Sequence, residues 1–171
     1  MCGLVAFAAT ALTKGAEQTR AVFKADEVEA VFLVNFCRFT NWPPHTFSSP
    51  QEPITIAVWA STDFATLVER AAQGEHVGPR VVTVKRIQNA EEAKSAQIVF
   101  VAAAEENAFE RTFENEGSHA LVVGESPRIL SAGGHLEFVP SGRMKLRVNI
   151  PALKSAGIEL NSNLLRICES P

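Results

Sequence analysis

Tyrosine is absent from this sequence. That removes the phenol that often handles protons and a ring that commonly stacks on sugars and bases. Aspartate occurs only at Asp26 and Asp63, and no Cys-x-x-Cys is present. The four histidines, His45, His76, His119 and His135, lack the i, i+3 or i+4 spacing of a helical metal pair, so no metal site and no cofactor are expected. Gly-x-Ser-x-Gly elbows, P-loops and Gly-x-Gly-x-x-Gly fingerprints are also missing. A Cys–His nucleophile would need Cys37 or Cys168 exposed beside a histidine, yet both fall on apolar helical stripes, where cysteine is usually a small buried hydrophobe. These absences predict a protein without enzymatic activity. A net charge of -3 with no run of Lys or Arg excludes a generic nucleic-acid binder.

What is present is organised around Asp26 to Pro43, DEVEAVFLVNFCRFTNWP. Asp26 and Glu29 have the spacing of a capping box. Val28, Val31, Phe32, Asn35, Phe36 and Phe39 then recur at helical spacing, with Leu33, Cys37 and Thr40 alongside. A helix apolar nearly all round needs cover on more than one side: from its own chain, a second copy or another protein. Pro43-Pro44 predicts its end. Phe39, Trp42 and, near the other end of the chain, Arg166 are the candidate partner-interface residues, since Trp and Arg are common interface anchors. A structural plug and a solvated charge are the plain alternatives for Trp42 and Arg166.

Ahead of that helix, MCGLVAFAATAL is small and apolar, then turns polar at Thr13-Lys14. It reads as the later part of a secretory signal, with Ala9-Thr10-Ala11 as a passable cleavage site. The expected organisation is a truncated leader over residues 1–25, a single domain over 26–171, and export. A Cys37–Cys168 disulfide stays open: it would close a loop of ~130 residues, worth about 4–5 kcal/mol, but spacing cannot show that the two Cβ atoms meet.

Along the rest of the chain, Ile54 to Trp59, Val81 to Ile87, Ile98 to Val101 and Ala120 to Val123 read as buried strands. They alternate with helices after Ser61-Thr62-Asp63, at Ala90 to Ser95 and at Glu105 to Phe113. Leu136 and Phe138, then Met144, Leu146 and Val148, alternate with polar residues around a Pro140-Ser141-Gly142 turn. Pro151 and Gly157 bracket a short helix, and Ser162 is placed to cap a last one carrying Leu164, Leu165, Ile167 and Cys168. The expected fold class is α/β: a mostly parallel sheet with crossover helices, an added antiparallel hairpin, and N- and C-terminal helices packed together. Ligands of such sheets sit beyond the carboxyl ends of the strands. There Ser61, Thr62, Asp63, Ser126 and Arg128 are candidates for holding an anion, against the alternative that they are ordinary caps and loop polar groups.

FLVNFCRFTNWP (Phe32 to Pro43) and RVNIPALKSAGIELNSNLLRI (Arg147 to Ile167) resemble the opening and closing blocks of the YfiR-like proteins. Asp63-Phe64, the Gly-Pro-Arg before the second strand and Gly133-Gly134 before the hairpin also fit, so the resemblance covers residues 26 to 168. It implies an export signal, a periplasmic location, an α/β sandwich able to form a homodimer, and a role restraining a membrane diguanylate cyclase. Control of cyclic-di-GMP, biofilm and motility would follow. The implied partners are the periplasmic domain of that cyclase and an outer-membrane lipoprotein that relieves the restraint. The mid-chain cysteines that form disulfides in some members are missing here. The residue-based alternative is a periplasmic small-ligand sensor or solute-binding module.

Overall fold

The computed structural model describes residues 25–112, 119–139 and 144–169. Most of the expected leader, Phe113 and the Pro140-Ser141-Gly142 turn lie outside the described residues. The first described element is a helix, α1, covering residues 25–39. Because residue 25 is already helical, Asp26 lies inside the helix and does not cap it, and Glu29 is buried.

Beyond α1 the chain forms β1 (Thr40–Asn41), a 3-10 turn (Pro44–Thr46), β2 (Ile54–Trp59), α2 (Thr62–Ala72), β3 (His76–Val77) and β4 (Arg80–Arg86). A second 3-10 turn (Ala90–Ala93), β5 (Ile98–Val101), α3 (Glu106–Thr112), β6 (Leu121–Gly124) and α4 (Pro127–Ser131) follow. The last elements are β7 (Leu136–Val139), β8 (Lys145–Val148), α5 (Ile150–Ala156), β9 (Glu159–Leu160), α6 (Ser162–Leu165) and β10 (Cys168–Glu169). The main sheet has the order β10-β8-β7-β6-β5-β2-β4-β3. Its centre is parallel from β4 through β2, β5 and β6 to β7, while β7–β8 and β3–β4 are antiparallel.

The central strands are apolar on both faces because helices cover both. Ile98 and Phe100 point into one apolar cluster with Leu33, Phe36, Phe64 and Val68 of α1 and α2. Val99 and Val101 point into the other, with Phe109 of α3, Ile129 of α4 and Ala90 and Ala93 of the second 3-10 turn. The result is helices, sheet and helices in three layers.

Both ends of the domain differ from the helical reading. α1 stops at residue 39, and Thr40–Asn41 pair antiparallel with Glu159–Leu160. The amide of Asn161 donates to the Phe39 carbonyl at 2.8 Å, so the two end segments are stitched by backbone as well as by packing. Asn161, not Ser162, caps α6. Cys168 leaves that helix and runs parallel to β8. Short apolar runs have no period of their own, and an open strand edge beside them settles the conformation.

The cover that α1 requires comes mostly from its own chain. Ala30, Leu33, Val34, Phe36 and Cys37 are at most 5% exposed. Phe32 and Phe39 are half-buried against the same core. What remains outside is Val28 at 36% and Val31 at 52%, with Ile167 at 52% at the other end of the chain.

Candidate functional site

The carboxyl ends of β2, β5 and β6 lie side by side, which brings the predicted strand-end residues to one edge. The Ser61 hydroxyl accepts from the Phe64 amide at 3.3 Å and caps α2. Thr62 and Asp63 are exposed in its first turn. Ser126 caps α4 by accepting from the Arg128 amide at 3.3 Å, and the exposed Arg128 guanidinium donates to Asn107 Oδ1. These are the roles of caps and loop polar groups.

A residue that sequence reasoning passed over occupies the expected anion cradle. Glu106 is 1% exposed. Its Oε1 accepts from the amides of Glu125 (2.9 Å) and Ser126 (3.0 Å), and its Oε2 accepts from the Ser126 hydroxyl. The chain thus supplies its own carboxylate where an anionic ligand was expected. Gly124 permits the approach: a Cβ there would lie 2.7 Å from Glu106 Oε1 and 2.7 Å from Ile129 Cβ.

More carboxyls gather beside it. Glu125 Oε2 accepts from the Ala103 amide at 2.8 Å. Burial pushes the Glu29 carboxyl up to about 8, with the nearby Glu125 and Asp26 adding to the shift. Burial also raises Glu125 and Asp26. Glu29 lies close enough to Glu125 for the two charges to oppose each other, and one of its buried carboxyl oxygens has no hydrogen-bond partner. Such an edge repels free anions.

The candidate interface residues divide. Phe39 is half-buried beside β1. Trp42 is a plug: its Nε1 donates to the Gln97 carbonyl at 3.3 Å, and its ring meets Phe47 edge-on at 5.9 Å. Arg80 lies 3.6 Å over the other partner of that pair, the Phe47 ring, and its Nη1 donates to the Ser49 and Glu52 carbonyls. Arg166 is exposed, donating to the Ser162 carbonyl and to Asn163 Oδ1. The outward face of α1 carries Val28 and Val31. A groove of about 350 Å³ between α1 and α2 runs past Val31, Asn35 and the Arg38–Glu75 ion pair.

A larger cavity, about 660 Å³, opens between α4, β8 and α5. Leu130, Val148, Ile150 and Pro151 line it, together with Glu137 and Arg147. Glu137 is 2% exposed, with Arg147 Nη1 3.3 Å from its Oε1. Burial raises the Glu137 carboxyl, and the guanidinium opposes that rise. The only sequence signal was Arg147 on the polar side of an alternating strand.

Cys37 and Cys168 are free thiols, so the disulfide left open by the spacing is not formed. Cys37 is sealed in α1 against the core, and the Cys168 Sγ donates to the Leu164 carbonyl at 3.3 Å. Burial pushes the first up to about 12 and the second to about 11, which keeps both as unreactive thiols. His135 is fully buried; its Nδ1 accepts from the Val122 amide at 2.9 Å, and burial lowers its pKa to about 4. Among the described residues no helix is long and apolar enough to cross a membrane. No cluster of three or more His, Cys, Asp or Glu residues able to hold a metal is found among them either.

The family model described as YfiR/HmsC-like matches residues 26–169. No curated protein matches the chain. One similar solved structure is a "conserved domain protein" from Vibrio cholerae O1 biovar El Tor, with 12% identity and a TM-score of 0.48. The match covers 68% of this chain and 54% of that one. Another is an ABC domain in complex with L-Trp from Streptococcus pneumoniae, with 11% identity and a TM-score of 0.49, covering 82% of this chain and 59% of that one. The chain therefore spans little more than half the length of these structures, and similarity at this level says nothing of function.

Proposed function

The chain belongs to the YfiR/HmsC-like family, and from that premise we propose that it is a periplasmic, non-enzymatic regulator that binds and restrains the periplasmic domain of a membrane diguanylate cyclase. The observation that carries this reading is the family match, which takes in the whole described domain. An outer-membrane lipoprotein competing for the same surface would relieve the restraint, and a homodimer is compatible with the reading. Restraint needs only a difference in affinity: binding the inactive cyclase ~2–3 kcal/mol more tightly than the active one shifts its population by one to two orders of magnitude.

The surface that supports docking is narrower than the sequence suggested. Phe36 and its neighbours belong to the core, leaving Val28 and Val31 on α1, with Ile167 and Arg166 near the other terminus, as exposed candidates. Purified protein is expected to bind the isolated periplasmic domain of its cyclase. Val31→Asp should weaken that binding at least tenfold without altering the melting temperature, because Val31 is already half in water. Trp42→Ala should instead lower stability, through its lost contacts with Phe47 and Gln97. Equal binding by wild type and Val31→Asp would remove α1 from the interface, and no binding by wild type would remove the reading itself.

The second reading, a small-ligand sensor, is favoured by the apolar cavity with its buried Glu137 paired to the part-exposed Arg147. It moves the expected ligand away from the strand-end loops. A thermal-shift panel of amino acids and nucleotides is expected to show a response lost in Arg147→Ala and kept in Arg128→Ala. A panel without any response counts against this reading.

A further inference from the structure

The sequence scatters its histidines, but the fold brings two of them into contact. His45 sits in the 3-10 turn after β1, and His119 lies just before β6, 74 residues further on. Their Nε2 atoms are 2.6 Å apart, with the rings edge-to-face and 4.4 Å between centroids. The Nδ1 of His119 is 3.0 Å from the Ala156 carbonyl. A carbonyl only accepts, so the proton of the neutral His119 ring is on Nδ1 and the lone pair is on Nε2, facing His45. This is the arrangement that metal-ligating histidines use: one ring nitrogen donates to a fixed acceptor, and the other is left bare toward the ion.

The backbone around the pair is held in place. Ala156 ends α5, and Gly157 follows in the left-handed region at φ 67°. A Cβ on Gly157 would sit 3.2 Å from Pro43 Cγ, so the segment leading to His45 packs on the turn that presents the Ala156 carbonyl. His45 is the movable member, because it is exposed while His119 is half-buried. At 2.6 Å the two nitrogens share one hydrogen. An ion with bonds of ~2.0–2.1 Å needs them about 3 Å apart, which a small swing of the exposed ring provides.

We propose that His45 and His119 form an exchangeable site for a divalent transition ion of the zinc class. Two imidazoles suit Zn²⁺, Cu²⁺ or Ni²⁺ and not Mg²⁺ or Ca²⁺, which take oxygen ligands. No third His, Cys, Asp or Glu joins them among the described residues, so water completes the coordination and the ion comes and goes. When bound, it ties the Pro43–His45 segment to the amino end of β6, across the end of α5. Trp42 and β1 adjoin that segment, so the ion stiffens the join between the two ends of the domain.

The test uses untagged, full-length protein freed of metal with a chelator, followed by calorimetric titration and thermal melting with ZnCl₂, NiCl₂ and MgCl₂. Zn²⁺ and Ni²⁺ should bind saturably at one ion per chain and raise the melting temperature by about 5–10 °C at a 100-fold excess over Kd, and a chelator should reverse the rise. Mg²⁺ should do nothing. His45→Gln, at an exposed position that leaves the fold intact, and His119→Gln should each weaken binding at least tenfold, while His76→Gln should not. Absence of saturable binding, or binding undiminished in the double variant His45→Gln/His119→Gln, overturns the proposal.

Discussion

Phe138→Ala is expected to cost about 3–5 kcal/mol, read as a fall in the urea midpoint at unchanged slope. Phe138 is fully buried in β7, and its ring joins three others. Phe36 of α1 stacks on it at 5.8 Å, Phe32 of α1 meets it edge-on at 6.2 Å, and Phe100 of β5 lies at 6.3 Å. Phe100 in turn stacks on Phe64 of α2 at 4.6 Å. One ring in the added hairpin therefore fastens the organising helix to the central sheet. Domains of this size are stable by ~5–15 kcal/mol, so the loss takes a large share of the total. A cost below about 1 kcal/mol would mean that α1 is held by something other than this aromatic cluster.

The second large effect is a dependence on pH. Glu29, raised from its ordinary value of 4.5 to about 8, holds its proton in the folded state when the unfolded chain has lost it. Stability from this group is complete below pH 4.5 and is lost as pH rises through 8. His135, lowered from 6.5 to about 4, has the opposite sign: its stability is complete above pH 6.5 and is lost as pH falls through 4. Between pH 4.5 and 6.5 the two slopes cancel. From pH 6.5 to 8 the Glu29 slope dominates, and unfolding free energy should drop by about 1 kcal/mol. Glu29→Gln is neutral and close in shape and has no titrating proton, so it should flatten that decline. Urea unfolding at pH 6.5, 7.25 and 8 measures both. An unchanged decline in Glu29→Gln would place the responsible group elsewhere.

The strands were legible because they are short, rich in β-branched residues and set between turn residues and helical patterns. Ile54–Trp59 and Ile98–Val101 form with the boundaries read from the sequence. Ser61 and Gly157 were likewise legible as punctuation, since capping is a local event; Ser126 stood as an anion candidate, and the short helix it caps was not read. The end of α1 was not, because Thr40 becomes a strand only when Leu160 arrives beside it. Cys168 was misread for the same reason, with Leu146 as its neighbour. The carboxyl edge held the largest gap. Its loops were identified, but Glu106 had no marker separating it from any other glutamate on a short helix, and its capture of the Glu125 and Ser126 amides is a tertiary event. The His45–His119 contact and the approach of Glu29 to Glu125 are long-range in the same sense. The surplus of apolar surface was real in the sequence, but the chain itself absorbs most of it.

The central claim, restraint of a membrane cyclase, is tested most directly by cellular cyclic-di-GMP in a strain lacking this gene alone. The account predicts a rise on deletion, return to the original level with the wild-type gene, and failure of Val31→Asp to restore it. Unchanged cyclic-di-GMP on deletion, in cells whose cyclase is intact and expressed, would contradict it.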